Sequence, residues 1–514
     1  MGISRRALLI GTAVTGAAVV VPTGIVGGIV WTGAHRSNVG RVRFDRPLAI
    51  PPLAERIRDD QGRLRVDLRL QPGQTELLPG KRTDTWGING TYLGPTVRVA
   101  RGDVFAPVVR NDLPESTTLH WHGMELPAEF DGGPHNMMRP GEVWKPAWRI
   151  DQPAATLWYH PHPHGQTKDH VYRGVAGLLY VDDGEADGLL PTEYGVDDIP
   201  LVVQDKNFGS DGALDASNIA WGGGVAITGL LGSEILVNGV WGPVLEVRTK
   251  RVRLRILNAS NARIYDFALA DGREFHVVAG DSGLLPAPVA VDHLLLSPGE
   301  RAELLVEVRP GERVRLRSRQ PELGANLLNN RLAGGDDEFE ILELRAATEL
   351  RESPPVPTRL PAAPRLPQPA ADRAERVFAF GEFHINDKVM DLSRIDAVVP
   401  LGSTEIWRFR SEIGTPHNFH VHNAAFEILD VDGRPPEPQW RGRKDTVYVP
   451  PNTEVRVLVQ FGPYPSPTWP FMYHCHLLAH EDAGMMGQFV VVTPGTDPAS
   501  IAPPPISEDG HHHG

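Results

Sequence analysis

Apolar residues spaced at every second position constrain this chain more than any other feature. Leu64, Val66, Leu68 and Leu70 follow that spacing, as do Val252, Leu254 and Ile256, and later Val455, Val457, Val459 and Phe461. Successive side chains of a strand face opposite sides, so period two builds sheets with one buried and one wet face. No segment of comparable length has a helical period. Turn signals such as Asp131-Gly132-Gly133, Asn238-Gly239 and Asp432-Gly433 recur, and 53 Gly and 47 Pro supply the breaks such a pattern needs. The chain is therefore expected to be all-β, of sandwich type.

Its 514 residues suit three or four domains at about 150 residues each. Three blocks share a loose plan of paired strands ending at an Asn-rich or His-rich loop. The first runs through Val97-Arg98-Val99 to Asn111 and His120, the second from Arg251 to Asn258-Ala259-Ser260, and the third from Glu405 to His417. The Pro-rich run from Ser353 to Pro369 reads as an extended linker. The expected division is 40–185, 190–350, a linker over 351–371, 372–495, and a disordered tail over 496–514. The His511-His512-His513 run in that tail reads as solvated. A composition of 41% hydrophobic and 22% charged residues is that of a globular protein. A net charge of −13 with no long basic run excludes a nucleic-acid binder. The single cysteine, Cys475, rules out an intrachain disulfide.

At the N-terminus, Arg5-Arg6 precedes a stretch with no charged residue until Arg36. Residues 1–34 read as a twin-arginine export signal, with Thr32-Gly33-Ala34 as small residues at a cleavage site. The same stretch is long enough to be a retained anchor, so membrane attachment depends on whether it is cut. Either way the chain is expected to be exported by the twin-arginine route, to the periplasm, the cell surface or the medium.

Eleven of the 20 histidines fall in four short segments. These are His120-Trp121-His122, His160-Pro161-His162-Pro163-His164, His417 with His420-Val421-His422, and His474-Cys475-His476 followed by His480. Each contains a His-x-His, which on a strand aims two imidazoles at one point. Imidazole is the commonest ligand for copper, zinc and iron, and four pairs can hold several ions. Two pairs lie in the first block and two in the third, so a shared cluster belongs between those blocks. His276 and His293 of the middle block read as structural. Cys475 faces away from His474 and His476 and can meet a second metal on the other side. With His480, His417 and Met485 it makes the thiolate, two-imidazole, thioether set of a blue copper site. Zinc fits less well, since a structural zinc would use more cysteines and a catalytic one needs only three protein ligands.

With these motifs in this order the chain resembles the three-domain multicopper oxidases: laccases, bilirubin oxidases and bacterial cuprous oxidases. The resemblance spans nearly the whole chain after residue 34. It implies three cupredoxin-like Greek-key β-barrels and four copper ions. His417, Cys475, His480 and axial Met485 match the type 1 ligands, and His120 and His420 the type 2 ligands. His122, His160, His162, His422, His474 and His476 match the ligands of the type 3 pair. Trp158-Tyr159 sets the frame that makes His160 and His162 ligands and leaves His164 as an extra, orienting histidine. Asp131 and Glu481 sit where the family places acidic proton-relay residues. The implied reaction couples one-electron oxidation of a donor to four-electron reduction of O2 to water. Cuprous oxidases of the family carry a methionine-rich segment. This chain has 8 Met in all, of which only Met137-Met138 are adjacent outside the Met485-Met486 pair. A laccase-like oxidase of phenols or other small aromatic donors, acting as a monomer, is therefore the expectation. A metal-ion oxidase is the alternative. A non-catalytic periplasmic scaffold, as in relatives that have lost their copper ligands, is a minor one.

Overall fold

The computed structural model describes residues 35–217, 228–370 and 375–505. Among the described residues strands dominate, and they build seven sheets around three large apolar cores. The expected export segment 1–34 and the His511–His513 run lie outside the described residues. Among the described residues no helix is long and apolar enough to cross a membrane.

The first unit has three four-stranded sheets. One of them ends on β1 (His120–His122) paired antiparallel with β2 (Ala155–His160). Its core holds Leu68, Val97, Phe105, Trp121, Leu157 and Tyr159. The middle unit has a six-stranded and a seven-stranded sheet packed over Leu254, Ile256, Phe267, Leu304 and Leu316. The third unit has two five-stranded sheets. One of them carries β3 (His417–Val421) between β4 (Thr446–Val449) and β5 (Phe471–His474), with β6 (Met486–Val492) on the far side of β5. Each unit also has parallel pairs, such as Leu179 beside Val97 and Ala397 beside Phe489. Parallel neighbours cannot be joined by a hairpin, so the chain must cross between sheets, as in Greek keys.

Three segments make contacts that their sequence reading did not include. Residues 36–48 belong structurally to the middle unit rather than opening the first. Ser37 bridges Glu338, and Arg46–Pro47 pairs in parallel with Pro243–Thr249, covering what would be an open sheet edge. The Pro-rich connection is extended but is not a free linker. The Leu360 N–H donates to Pro286 O (3.0 Å), the Leu366 N–H donates to Glu427 Oε1 (3.0 Å), and both leucines are buried. The tail expected to be disordered from 496 instead begins with a turn, Pro498–Ser500, capped by the Asp497 side chain.

Candidate metal centre

Strand register brings the histidines together. His120 lies directly opposite His160 in the β1–β2 pair, and His420 directly opposite His474 in the β3–β5 pair. The intervening Trp121 and Tyr159 point into the first core, and Phe419 and Val421 into the third. The imidazoles are thereby turned to the seam between these two units. Only His120 and His122 both lie within a strand. His162, His422 and His476 follow just beyond the ends of β2, β3 and β5. At β2 the reason is Pro161, which has no N–H to continue the ladder.

Eight buried rings form one cluster. His122 stacks on His420 at 3.7 Å between ring centres, and His120 on His422 at 3.8 Å. His474 lies with its Nε2 3.1 Å from that of His162 and 3.3 Å from that of His422. Potential ligand atoms converge in three all-histidine sets: His120, His420 and His422; His120, His122 and His160; and His162, His422 and His474. His476 faces the second set, 5.1 Å from His122 and 5.3 Å from His160 between ring centres. His164 is only half-buried and joins none of these sets.

The protons on these rings are fixed by oxygens. His120 Nδ1 donates to Asp131 O (2.8 Å), His160 Nδ1 to Pro161 O (2.8 Å), and His420 Nδ1 to Asp445 O (2.9 Å). The Nε2 of each of these three is buried and has no partner. Burial, reinforced by neighbouring rings, pushes His120, His122, His160, His420 and His422 well below the usual histidine range, so they stay neutral. Bare lone pairs gathered in a dry seam are costly unless a cation accepts them. Neutral imidazoles whose other nitrogen is tied to an oxygen are how proteins hold metal ligands.

A second group lies in the third core. Cys475 Sγ is 3.6 Å from His417 Nδ1 and 3.8 Å from His480 Nδ1, and those two nitrogens are 3.1 Å apart. Met485 is fully buried in the same apolar core as Cys475, whereas Met486 packs with Met390, Leu392 and Met472. Burial pushes the Cys475 thiol up to about 12, so its thiolate needs a cation at this point. Asn418 ties this group to the cluster, with its Oδ1 accepting the His476 N–H at 2.6 Å. Its Nδ2 donates to Ser297 Oγ and Pro298 O of the middle unit. Both donor sets suit copper: imidazoles alone in one, and two imidazoles with a thiolate and a thioether nearby in the other.

The two acids of the sequence analysis are both at the cluster. His422 Nδ1 donates to Asp131 Oδ2 at 2.7 Å, and burial pushes the Asp131 carboxyl well above its usual range. Glu481 lies 3.1 Å from His474 Nδ1 and 3.5 Å from His162 Nδ1. Burial alone would raise its carboxyl, but the His474 and His162 rings hold it well below that range. Gly132, beside Asp131, has φ +78, and a Cβ there would fall 1.9 Å from Leu119 O, so this turn requires glycine. Sequence reasoning missed Asp445, Asn418 and Arg301, all buried beside the histidines. No local pattern marks them, because their partners lie far along the chain.

The comparisons agree with this geometry. Multicopper oxidase family models match residues 69–186, 221–316 and 358–495. The chain is 37% identical to the cell division protein FtsP of Escherichia coli, across 87% of this chain and 93% of that protein. A crystal structure of a multi-copper oxidase from Pediococcus acidilactici superposes with a TM-score of 0.80 at 32% identity, covering 90% of this chain and 95% of that one. A laccase-like multi-copper oxidase from the lignin-degrading bacterium Ochrobactrum sp. superposes with a TM-score of 0.76 at 38% identity, covering 87% and 100%. The three units have the cupredoxin-like fold of these proteins, and the chain belongs to the multicopper oxidase family.

Proposed function

We propose that this chain is a laccase-like multicopper oxidase that oxidises phenols or other small aromatic donors and reduces O2 to water. The observation that carries the reading is the complete ligand set: eight buried imidazoles in one cluster and His417, Cys475, His480 and Met485 in another. His417, Cys475 and His480, with Met485 nearby in the same core, would hold a type 1 copper. His120 and His420 would hold type 2, and His122, His160, His162, His422, His474 and His476 would hold the type 3 pair. The four ions, when bound, supply one-electron acceptance at the first site and four-electron reduction of O2 at the cluster.

The residues of the chain do the rest. Cys475 is covalently joined to His474 and His476, so backbone adjacency links the two sites. Asn418 keeps that link rigid through its bond to the His476 N–H. Asp131 holds a proton position at His422 Nδ1, and Glu481 one beside His474 Nδ1, where the reduction of O2 consumes protons. Trp158 stacks on His160 at 4.0 Å and helps to keep water out.

The donor assignment rests on the scarcity of methionine for soft Cu(I) and on likeness to the Ochrobactrum oxidase, which has activity towards lignin model compounds. A second reading has its own support, because relatives at 37% identity are named cell division proteins. A purely structural role would place no demand on bare, buried imidazole nitrogens, which favours the oxidase. Export by the twin-arginine route and action as a monomer complete the proposal. The test is O2 uptake by the copper-loaded chain with a simple phenol and with Cu(I) in parallel. Faster uptake with the phenol supports the laccase-like reading. Faster uptake with Cu(I) replaces it with a metal-ion oxidase, and no uptake with either favours the structural role.

A further inference from the structure

The middle unit supplies none of the eight cluster histidines, yet one of its side chains reaches them. Arg301, at the start of strand Arg301–Glu307, is fully buried. Its Nε donates to Thr156 O at 2.9 Å. Nη1 donates to Gly299 O (3.0 Å) and Asp445 Oδ1 (2.7 Å). Nη2 donates to Asp281 O (2.8 Å) and Asp445 Oδ2 (2.6 Å). All five guanidinium N–H groups are therefore used, and two of them grip one carboxylate in bidentate fashion.

Asp445 faces two histidines. Its Oδ1 is 3.1 Å from His122 Nε2, and its backbone oxygen is 2.9 Å from His420 Nδ1. Thr446 Oγ1 supports the same pair, 3.2 Å from each of these nitrogens. An ionised carboxylate and a carbonyl only accept, so the protons sit on His122 Nε2 and His420 Nδ1. The nitrogens left bare are His122 Nδ1 and His420 Nε2, and neither has a partner. His120, His160, His422 and His474 all have Nδ1 beside an oxygen and present Nε2. His122 is reversed relative to them. Its ring lies almost flat on His420, at 11° between planes.

The surroundings leave no slack. A Cβ on Gly123, next to His122, would fall 2.5 Å from Asp445 Oδ2 and 2.8 Å from Arg301 Nη2. On the outer side, Lys444 Nζ bridges Asp281 (2.8 Å) and Glu300 (3.0 Å), and the Arg301 N–H donates to Asp281 Oδ1 (2.7 Å). Two buried cations, Arg301 and Lys444, thus meet the buried side chains of Asp281, Glu300 and Asp445.

We propose that Arg301 and Asp445 form a positioning clamp in which the middle unit sets the tautomer and orientation of His122 and His420, so that these stacked rings present opposite nitrogens to the metal. This rests on the copper reading above. The carboxylate is essential because an amide in its place can donate to His122 Nε2 and move the proton to Nδ1, where it blocks ligation.

The test compares the copper-loaded full chain with Asp445→Asn and Arg301→Lys. The readouts are copper per chain, the blue absorption of type 1, the near-ultraviolet absorption of the type 3 pair, and the electron paramagnetic resonance of type 2. Asp445→Asn is expected to keep the blue band while lowering copper affinity at the cluster by about 10–100-fold. Arg301→Lys is expected to do the same to a smaller degree. If Asp445→Asn also lowers the melting point of the metal-free chain, Arg301→Lys carries the test through the same readouts. Wild-type cluster copper and spectra in both variants, or loss of the blue band in step with the cluster signals, would overturn the clamp. A wild-type chain with no blue band would instead remove the copper reading on which it stands.

Discussion

A lone, fully buried thiol is a poor residue to keep unless something binds it. Cys475 has His417, His480 and the Asn418 Oδ1 as its near polar neighbours and the third core on its other sides. Cys475→Ser removes one sulfur and nothing else of size. It should abolish the blue band and donor oxidation while leaving the far-ultraviolet circular dichroism unchanged. A blue, active variant would remove Cys475 from the type 1 site. The acids make a different prediction. Asp131→Asn and Glu481→Gln keep shape and remove the proton position, so each should slow O2 turnover by about 10²-fold or more with the blue band intact. Stopped-flow reoxidation of the reduced protein measures this, and unchanged reoxidation would reduce both residues to structural supports. The ligand histidines were legible because His-x-His is a local pattern with a direct chemical reading. Asp445 was not, since it meets His122 across 323 residues of chain and reads in sequence as one more charge after Arg443-Lys444.

Among the elements, period two exposed the strands that have one wet face, such as Glu454–Gln460. It was less informative for β3 and β6, which are buried on both faces and read as continuous apolar or mixed runs. It was silent on segments that bind without regular structure. Residues 36–48 are fastened by a two-residue strand and scattered hydrogen bonds, and the Pro-rich connection by single backbone bonds and isolated apolar anchors, none of which leaves a periodic trace. The connection is open to a direct check. Leu360 packs with Leu190, Val278, Leu284 and Leu305, elements far apart in sequence. Leu360→Ala should lower unfolding stability by about 2–3 kcal/mol in a denaturant titration. A change within about 0.5 kcal/mol, typical of an exposed site, would mean that the segment is a free linker after all.

At the scale of the whole molecule, the middle unit acts as a brace between two units that share the cluster. Its second point of attachment is Glu303. The Thr156 hydroxyl, four residues before His160 on β2, donates to Glu303 Oε1 at 2.6 Å. Arg253 grips the other carboxylate oxygen, and Arg255 joins Glu303 and Thr156 to Asp198. Burial alone would raise the Glu303 carboxyl, but Arg253 and Arg255 outweigh it and hold the group down to about 2. A carboxylate whose folded value lies below its unfolded one stabilises the fold above about pH 4.5. That contribution is lost as pH falls from there toward 2, because the unfolded chain takes up the proton first. Other acids titrate over the same range, so the informative quantity is a difference between proteins. Glu303→Gln should melt well below wild type at pH 6, since it leaves two buried arginines short of a partner. The gap should narrow as the pH is lowered through 4.5 to 3, because wild type then loses what the variant never had. A gap that stays constant from pH 6 to pH 3 would show that the acid sensitivity of this brace arises elsewhere than Glu303.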